Sequence, residues 1–302
     1  MSIVSLTQTN NNTQDNIFYN IEQVPLYKPR KCILKTTNGA LYLTQNMKNK
    51  EECIIKQLKP TNDGISHVLL KEITLLDNMN HKHVIKMKEI FLTPEHNTCI
   101  VFPKFKQNLA EFIKEYRNKN QQIQQDLIKK WSYQMIAALS HIHSKRMTHQ
   151  HINCQNIIIT NILELNIKIG YFELNNNEPV NAVSYLSPQL ISGVNRTTNK
   201  DDVWSLGCVI AEIARNGCVL FKGSSNPEIL RSISQILPAL NNDHWSKSFV
   251  DCESIPFESA LGKLKNNNIA CDLLKVRLCY IIIQTSTRFL FFLIINFLYR
   301  KC

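Results

Sequence analysis

Glycine is scarce, at eight of 302 residues, where an average chain carries about 7%. That excludes glycine-dense architectures and predicts that any phosphate loop built from successive glycines is incomplete. Paired cysteines are missing too. The ten cysteines (Cys32, Cys53, Cys99, Cys154, Cys208, Cys218, Cys252, Cys271, Cys279 and Cys302) are scattered without a CxxC spacing. Neither a zinc knuckle nor a disulfide framework can be read from them, and a reducing compartment, cytoplasmic or nuclear, is the expectation. The opening MSIVSLTQTNNNTQDN has no basic segment followed by an apolar one, so it reads as a flexible polar tail over 1–25 and not a signal peptide. No apolar run reaches the ~20 residues of a spanning helix. FLFFLIINFLY at 289–299 is preceded by Gln284, Thr285, Ser286, Thr287 and Arg288, and a charge at the bilayer centre costs about 2.5–3.5 kcal/mol. A buried terminal helix is the favoured reading of that run, with membrane anchoring the alternative.

What is present is a core-forming chain with an excess of positive charge. Hydrophobic residues make up 44%, enough to exclude global disorder. The 35 Lys and Arg against 24 Asp and Glu give a net +11. These basic residues are spread along the chain and form no stripe, which argues against nucleic-acid binding. The length allows two compact domains or one domain with two lobes.

Residues 26–60 read as strands with turn breaks, with Leu41–Leu43 and Cys53–Lys56 separated by the polar Gln45–Glu52. Residues 65–79 place Ile65, Val68, Leu69, Ile73 and Leu76 at helical spacing. Strands are expected around Val84–Phe91 and Thr98–Phe102. Helices are expected over 109–117 and 123–145, the second with Ile128, Trp131, Met135, Leu139 and Ile142 on one face. A β-rich lobe over 26–102, a joint at 103–107 and a helix-rich lobe over 108–302 follow: an α+β, bilobal organisation.

Several segments, in order, resemble a eukaryotic protein kinase and, within that family, its cyclin-dependent branch. CIIK at 53–56 is similar to the strand that carries the nucleotide lysine. GISHVLLKEITLLDNMNHKHVIKM is similar to the helix whose glutamate pairs with it, and TCIVFPKFKQNL to the last strand and hinge. HSKRMTHQHINCQNIII resembles the catalytic loop, IKIGYFEL the metal-binding triplet, and YLSPQL the end of the activation segment. DDVWSLGCVIAEI resembles the buried central helix, and LFKGSSNPEIL continues the cyclin-dependent pattern. The match covers roughly 26–300 and implies the bilobal kinase fold, ATP and Mg²⁺ as cofactors, and phosphorylation of protein Ser/Thr hydroxyls in signalling.

Phosphoryl transfer is mostly positioning and charge neutralisation, so each position can be tested against its role. The resemblance places Lys56 on the nucleotide phosphates, held by Glu72. It places Gly39, Leu41, Ile54, Phe102 (the gatekeeper), Lys104 and Ile158 around the nucleotide. Of the loop glycines Gly39 alone is kept, with Leu34 and Thr36 at the earlier two positions. A Cβ there obstructs close approach of backbone N–H to phosphate. Ile54 replaces the small residue that roofs the adenine and narrows the pocket. ATP is therefore expected to bind weakly or not at all.

The catalytic loop departs further. His149 keeps its position, Gln150 replaces an arginine, and His151 replaces the base aspartate. His151 can accept a proton near its unperturbed pKa of about 6.5 but supplies no negative charge. Asn153 stands at the catalytic lysine's position, while Asn156 keeps the second metal ligand. Zinc at His149 and His151 is disfavoured for want of a third ligand. Tyr171 takes the place of the Mg²⁺-binding aspartate, and a phenol near pKa 10 does not replace a carboxylate on Mg²⁺. Glu173 is a remote substitute for it.

The segment from Tyr171 to Pro188 has no threonine, and Gln189 replaces the glutamate that would meet Arg288. Asp202, Trp204 and Gly207 keep the scaffold positions, with Asp202 expected to bond the catalytic-loop backbone. Scaffold kept and chemistry lost points to a pseudokinase acting as a binding scaffold. The alternative is an atypical active Ser/Thr kinase using His151 or Glu173. The helix at 65–76 sits where this branch docks a cyclin, so a cyclin-like or other helical partner is expected there, with Val68 and Leu69 as exposed probes.

Overall fold

The computed structural model describes residues 26–36, 39–60, 67–161, 163–170, 182–194, 197–237, 255–256 and 260. Strands β1 (Tyr27–Lys35), β2 (Gly39–Asn46), β3 (Glu52–Leu58), β4 (Glu89–Leu92) and β5 (Thr98–Pro103) form an antiparallel sheet in the order β1-β2-β3-β5-β4. Both faces are apolar, which is why CII and CIVF read as continuous runs and not as alternations. Ile54, Ile100 and Phe102 face one cluster, while Cys53, Ile55, Cys99 and Val101 face another with Tyr27 and Tyr42. Successive side chains in a strand point to opposite faces, so the register Ile54↔Phe102 and Lys56↔Ile100 puts Lys56 on the same face as Ile54.

Helix α1 (His67–Asn78) covers that face. Leu69 and Leu76 enter the sheet-side cluster, whereas Leu75 enters the core of the helical region. Leu69 is thus buried, so the expectation that it is an exposed docking probe is corrected. Its helical spacing places it on the inward stripe.

The expected strand at Val84–Phe91 is also corrected. The strand itself spans Glu89–Leu92, preceded by a bond from the Lys88 N–H to the Val101 carbonyl at 2.8 Å, and Val84 makes an isolated bridge to Ile169. The Ile85 N–H donates to the Ile169 carbonyl at 2.8 Å, and the Ile169 N–H to the His83 carbonyl at 2.9 Å. Residues 83–85 therefore bond to the helical region and leave the sheet.

After β6 (Gln107–Asn108) come α2 (Leu109–Asn118), α3 (Gln125–Ser144), β7 (Ile157–Asn161) and β8 (Asn166–Ile169). The three short strands form a sheet of order β6-β7-β8. Asn108 caps α2, with Glu111 closing a capping box. Helix α3 is two residues shorter at its start and one at its end than expected. Its face of Ile128, Trp131, Met135, Leu139 and Ile142 is buried as the spacing requires. Beyond a 3₁₀ turn (Ala182–Tyr185) lie α4 (Pro188–Ile191), α5 (Asn199–Ala214) and α6 (Asn226–Ile236). Thr198 caps α5 with Asp201, and Trp204 stacks on Phe221 at 5.3 Å. Helix α5 is buried along nearly its whole length, and its two buried carboxylates, Asp202 and Glu212, are both hydrogen-bonded.

Among the described residues no helix is long and apolar enough to cross a membrane. The tail 1–25, Ile65, Ser66, Tyr171, Glu173, Arg288 and the run 289–299 lie outside the described residues.

Candidate functional site

Lys56 on β3 reaches Glu72 on α1, with Nζ 2.9 Å from both carboxylate oxygens. Both side chains are almost fully buried. Burial raises the Glu72 pKa, opposed by the Lys56 ammonium.

Leu41, Ile54, Phe102 and Ile158 join a single cluster with Leu69, Leu76, Ile85 and Ile100. The first four are 5%, 1%, 0% and 0% exposed. The four side chains expected around the nucleotide are thus shielded from solvent.

Gly39 is retained for a local reason. A Cβ there would stand 2.1 Å from the Gln57 carbonyl oxygen on the neighbouring strand. Lys104 is exposed and pairs with Glu52, which holds its charge at the sheet surface, away from the buried cluster.

The catalytic loop is organised around Asp202 of α5. Its carboxylate accepts from His143 Nε2 at 2.8 Å, from the His149 backbone N–H at 2.8 Å and from the Gln150 N–H at 2.6 Å. Gln150 sits at φ 73°, a conformation that costs a non-glycine residue on the order of 1–3 kcal/mol and persists only where neighbours enforce it. The bonds from Asp202 supply that enforcement. His143, on the C-terminal turn of α3, was not singled out from the sequence. Its quoted motif places it in the loop region, but nothing local shows that it meets a residue 59 positions on.

His149 is buried, and burial pushes its pKa down to about 3. Its Nδ1 accepts from the His151 N–H at 3.3 Å. The His151 side chain is exposed. The surrounding protein desolvates it and lowers its pKa, and the Lys56 ammonium lowers it further.

Asn153 is buried, and its Oδ1 accepts from the backbone N–H groups of Gln155 and Asn156, each at 2.9 Å. The residue at the catalytic lysine's position thus holds a local turn. Asn156 is fully buried, and its amide donates to the His151 carbonyl at 2.8 Å. Among the described residues no three His, Cys, Asp or Glu side chains are grouped to hold a metal ion.

Below the loop, Glu212 of α5 accepts from Tyr185 Oη and from Cys154 Sγ. Burial raises the Glu212 carboxyl, partly offset by these donors. Sequence patterning passed over this trio because each member reads as core.

The model of the protein kinase domain family matches residues 31–280, most of the chain, and the chain belongs to that family. Its β-sheet region followed by a helical region is the bilobal α+β kinase fold. The family in general uses ATP and Mg²⁺.

Proposed function

We propose that this chain is a pseudokinase of the cyclin-dependent branch, a kinase-fold module that binds partners, holds nucleotide weakly or not at all, and transfers no phosphoryl group. The observation that carries this reading is the mutual burial of Leu41, Ile54, Phe102 and Ile158. In this reading Ile54 stands where the family has a small residue over the purine, and its extra methylenes set an overpacking cost of about 1–3 kcal/mol against a bound purine.

The catalytic loop supports the same reading. His151 has a depressed pKa and supplies no carboxylate, Asn153 is engaged in a turn, and the amide of Asn156 is tied to the His151 carbonyl. The Lys56–Glu72 pair is the one observation that favours an active Ser/Thr kinase. It also ties β3 to α1, which a scaffold needs equally. The partner-binding face is assigned to α1, where Leu70 is exposed and Leu69 is not, so Leu70→Asp is the informative probe of it.

Thermal unfolding of the full chain with ADP or ATP, with and without Mg²⁺, tests the reading. Wild type is expected to show no shift. Ile54→Ala should lose about 2–5 kcal/mol of stability from the cavity it opens and gain a nucleotide-dependent shift, up to about 2.7 kcal/mol at 100 times Kd. A Mg²⁺-dependent shift in wild type, with phosphotransfer abolished by Lys56→Ala, would establish the active kinase instead.

A further inference from the structure

The loop after α1 carries a cluster of titratable groups separate from the cleft positions. His81 stacks on His141 of α3 with ring centroids 5.1 Å apart and planes 19° from parallel. His83 meets His81 edge-on at 5.6 Å. Hydrogen bonds define the protonation of this group. The His83 backbone N–H donates to His81 Nδ1 at 3.2 Å, so that nitrogen keeps its lone pair and the ring is neutral, with its proton on Nε2. His83 Nδ1 lies 3.1 Å from the Ile167 carbonyl oxygen, a contact that needs an N–H there. His141 Nε2 is buried and meets no partner among the described residues.

Among the described residues, the charged and titratable groups facing His81 are His83 and Lys82 on its own loop, His141 on α3 and Lys168 on β8. Those facing His83 are Lys82, Lys168 and Lys130 of α3. Each is a cation or becomes one on protonation, and none of them is a carboxylate. A metal does not account for the grouping, because near-parallel stacking keeps the His81 and His141 ring edges from converging on one point.

The same loop joins the two regions of the molecule. Val84 N–H donates to the His81 carbonyl at 3.1 Å, and the Ile85 and Ile169 N–H groups bond across to β8 and back to His83.

We propose that His81, His83 and His141 form an acid-sensitive latch, in which protonation of His81 removes the acceptor of the His83 N–H, sets a cation among like charges and releases residues 81–85 from β8. Burial and the cations around it hold the His81 pKa down at about 4, against an ordinary 6.5. The neutral ring therefore contributes stability in full above pH 6.5, and that contribution is lost as pH falls toward 4. Because the latch follows α1 directly, its release loosens the helix that carries Glu72.

Hydrogen exchange of the full chain, followed from pH 7.5 to 5 and corrected for the intrinsic pH dependence of exchange, reads the latch directly. Peptides over 81–92 and 163–170 are expected to lose protection at least tenfold, while those over 41–58 change less than twofold. His81→Asn keeps an acceptor near the Nδ1 position and does not titrate, so it should abolish the loss. An equal loss in H81N, or a parallel loss over 41–58 in wild type, overturns the proposal. Should H81N not fold, ring-proton NMR of wild type decides. A His81 midpoint well below 6.5, shared by the Ile85 and Ile169 amides, supports the latch. A midpoint at or above 6.5, or amides that follow another midpoint, refutes it.

Discussion

Two carboxylates are buried to a similar depth, Glu72 on α1 beside the first sheet and Asp202 on α5 of the helical region, and they are satisfied in different ways. Glu72 takes both of its bonds from the Lys56 ammonium at the end of a flexible side chain. Asp202 takes two of its three from backbone N–H groups of the catalytic loop and the third from the His143 ring. It also lies in the first turn of α5, where the helix dipole favours negative charge. The Asp202 arrangement depends on the loop's backbone and hardly on its side chains. Gln150 and His151 can therefore occupy positions of catalytic side chains without disturbing the loop's shape. The Lys56–Glu72 arrangement has no such tolerance, since each partner exists only as a side chain.

The largest effect should come from breaking the backbone-held side. Asp202→Ala leaves the His149 and Gln150 N–H groups and the His143 ring without their acceptor. Each of the three buried donors left without its acceptor costs about 1–3 kcal/mol. Denaturant unfolding should show a loss of about 5 kcal/mol or more, and poor recovery of folded protein is the expected outcome. A loss below about 2 kcal/mol would mean that water replaces the carboxylate and that the loop is not held from α5.

On the other side, Glu72→Ala strands a buried ammonium and should cost about 3–4 kcal/mol. The double variant Lys56→Met/Glu72→Leu removes both charges while keeping most of the volume. It is expected to recover most of that loss, because apolar replacements of buried pairs are often neutral or stabilising. For a binding scaffold, the double variant should also keep its partner interactions. A double variant as unstable as Glu72→Ala would show that the pair organises α1 through geometry that packing cannot replace.

Much of this contrast was legible in the sequence, and its limits have a physical origin. Periodicity marks the apolar stripes of α1 and α3, and motif order places Lys56, Glu72 and the α5 segment with Asp202. These features are local or ride on segments with strong patterning. The apolar residues around Val84 fit a strand of the first sheet, whereas the hydrogen-bond partners of that segment lie on β8, some 84 positions away. The meeting of His81 with His141 is likewise hidden by distance along the chain. Asn153 was read as an absent lysine, although an asparagine followed closely by its own turn N–H groups is equally a turn signal. His149 could be located in its motif, but its burial beside Asp202 follows only from the packed fold.

That burial gives the smallest and sharpest comparison between the two sides. Burial holds His149 at about 3, against an ordinary 6.5. Between those values the unfolded chain binds a proton at this residue that the folded chain refuses, so its contribution to stability falls as pH falls. Glu72 has the opposite sign. Its raised pKa makes the folded chain take up a proton before the unfolded one does, so acidification relieves a cost on that side. His149→Asn keeps an acceptor near Nδ1 for the His151 N–H and removes the titration. Plotted from pH 6 to 4, its unfolding free energy should run flatter than wild type by up to one proton, about 1.4 kcal/mol per pH unit. Lys56→Met/Glu72→Leu, which removes the carboxyl that takes up its proton early, should run steeper than wild type toward the acid end of the same range. If both variants keep the wild-type slope, neither buried group resists or invites protons as its surroundings require, and the contrast between the α1 side and the α5 side reduces to one of packing.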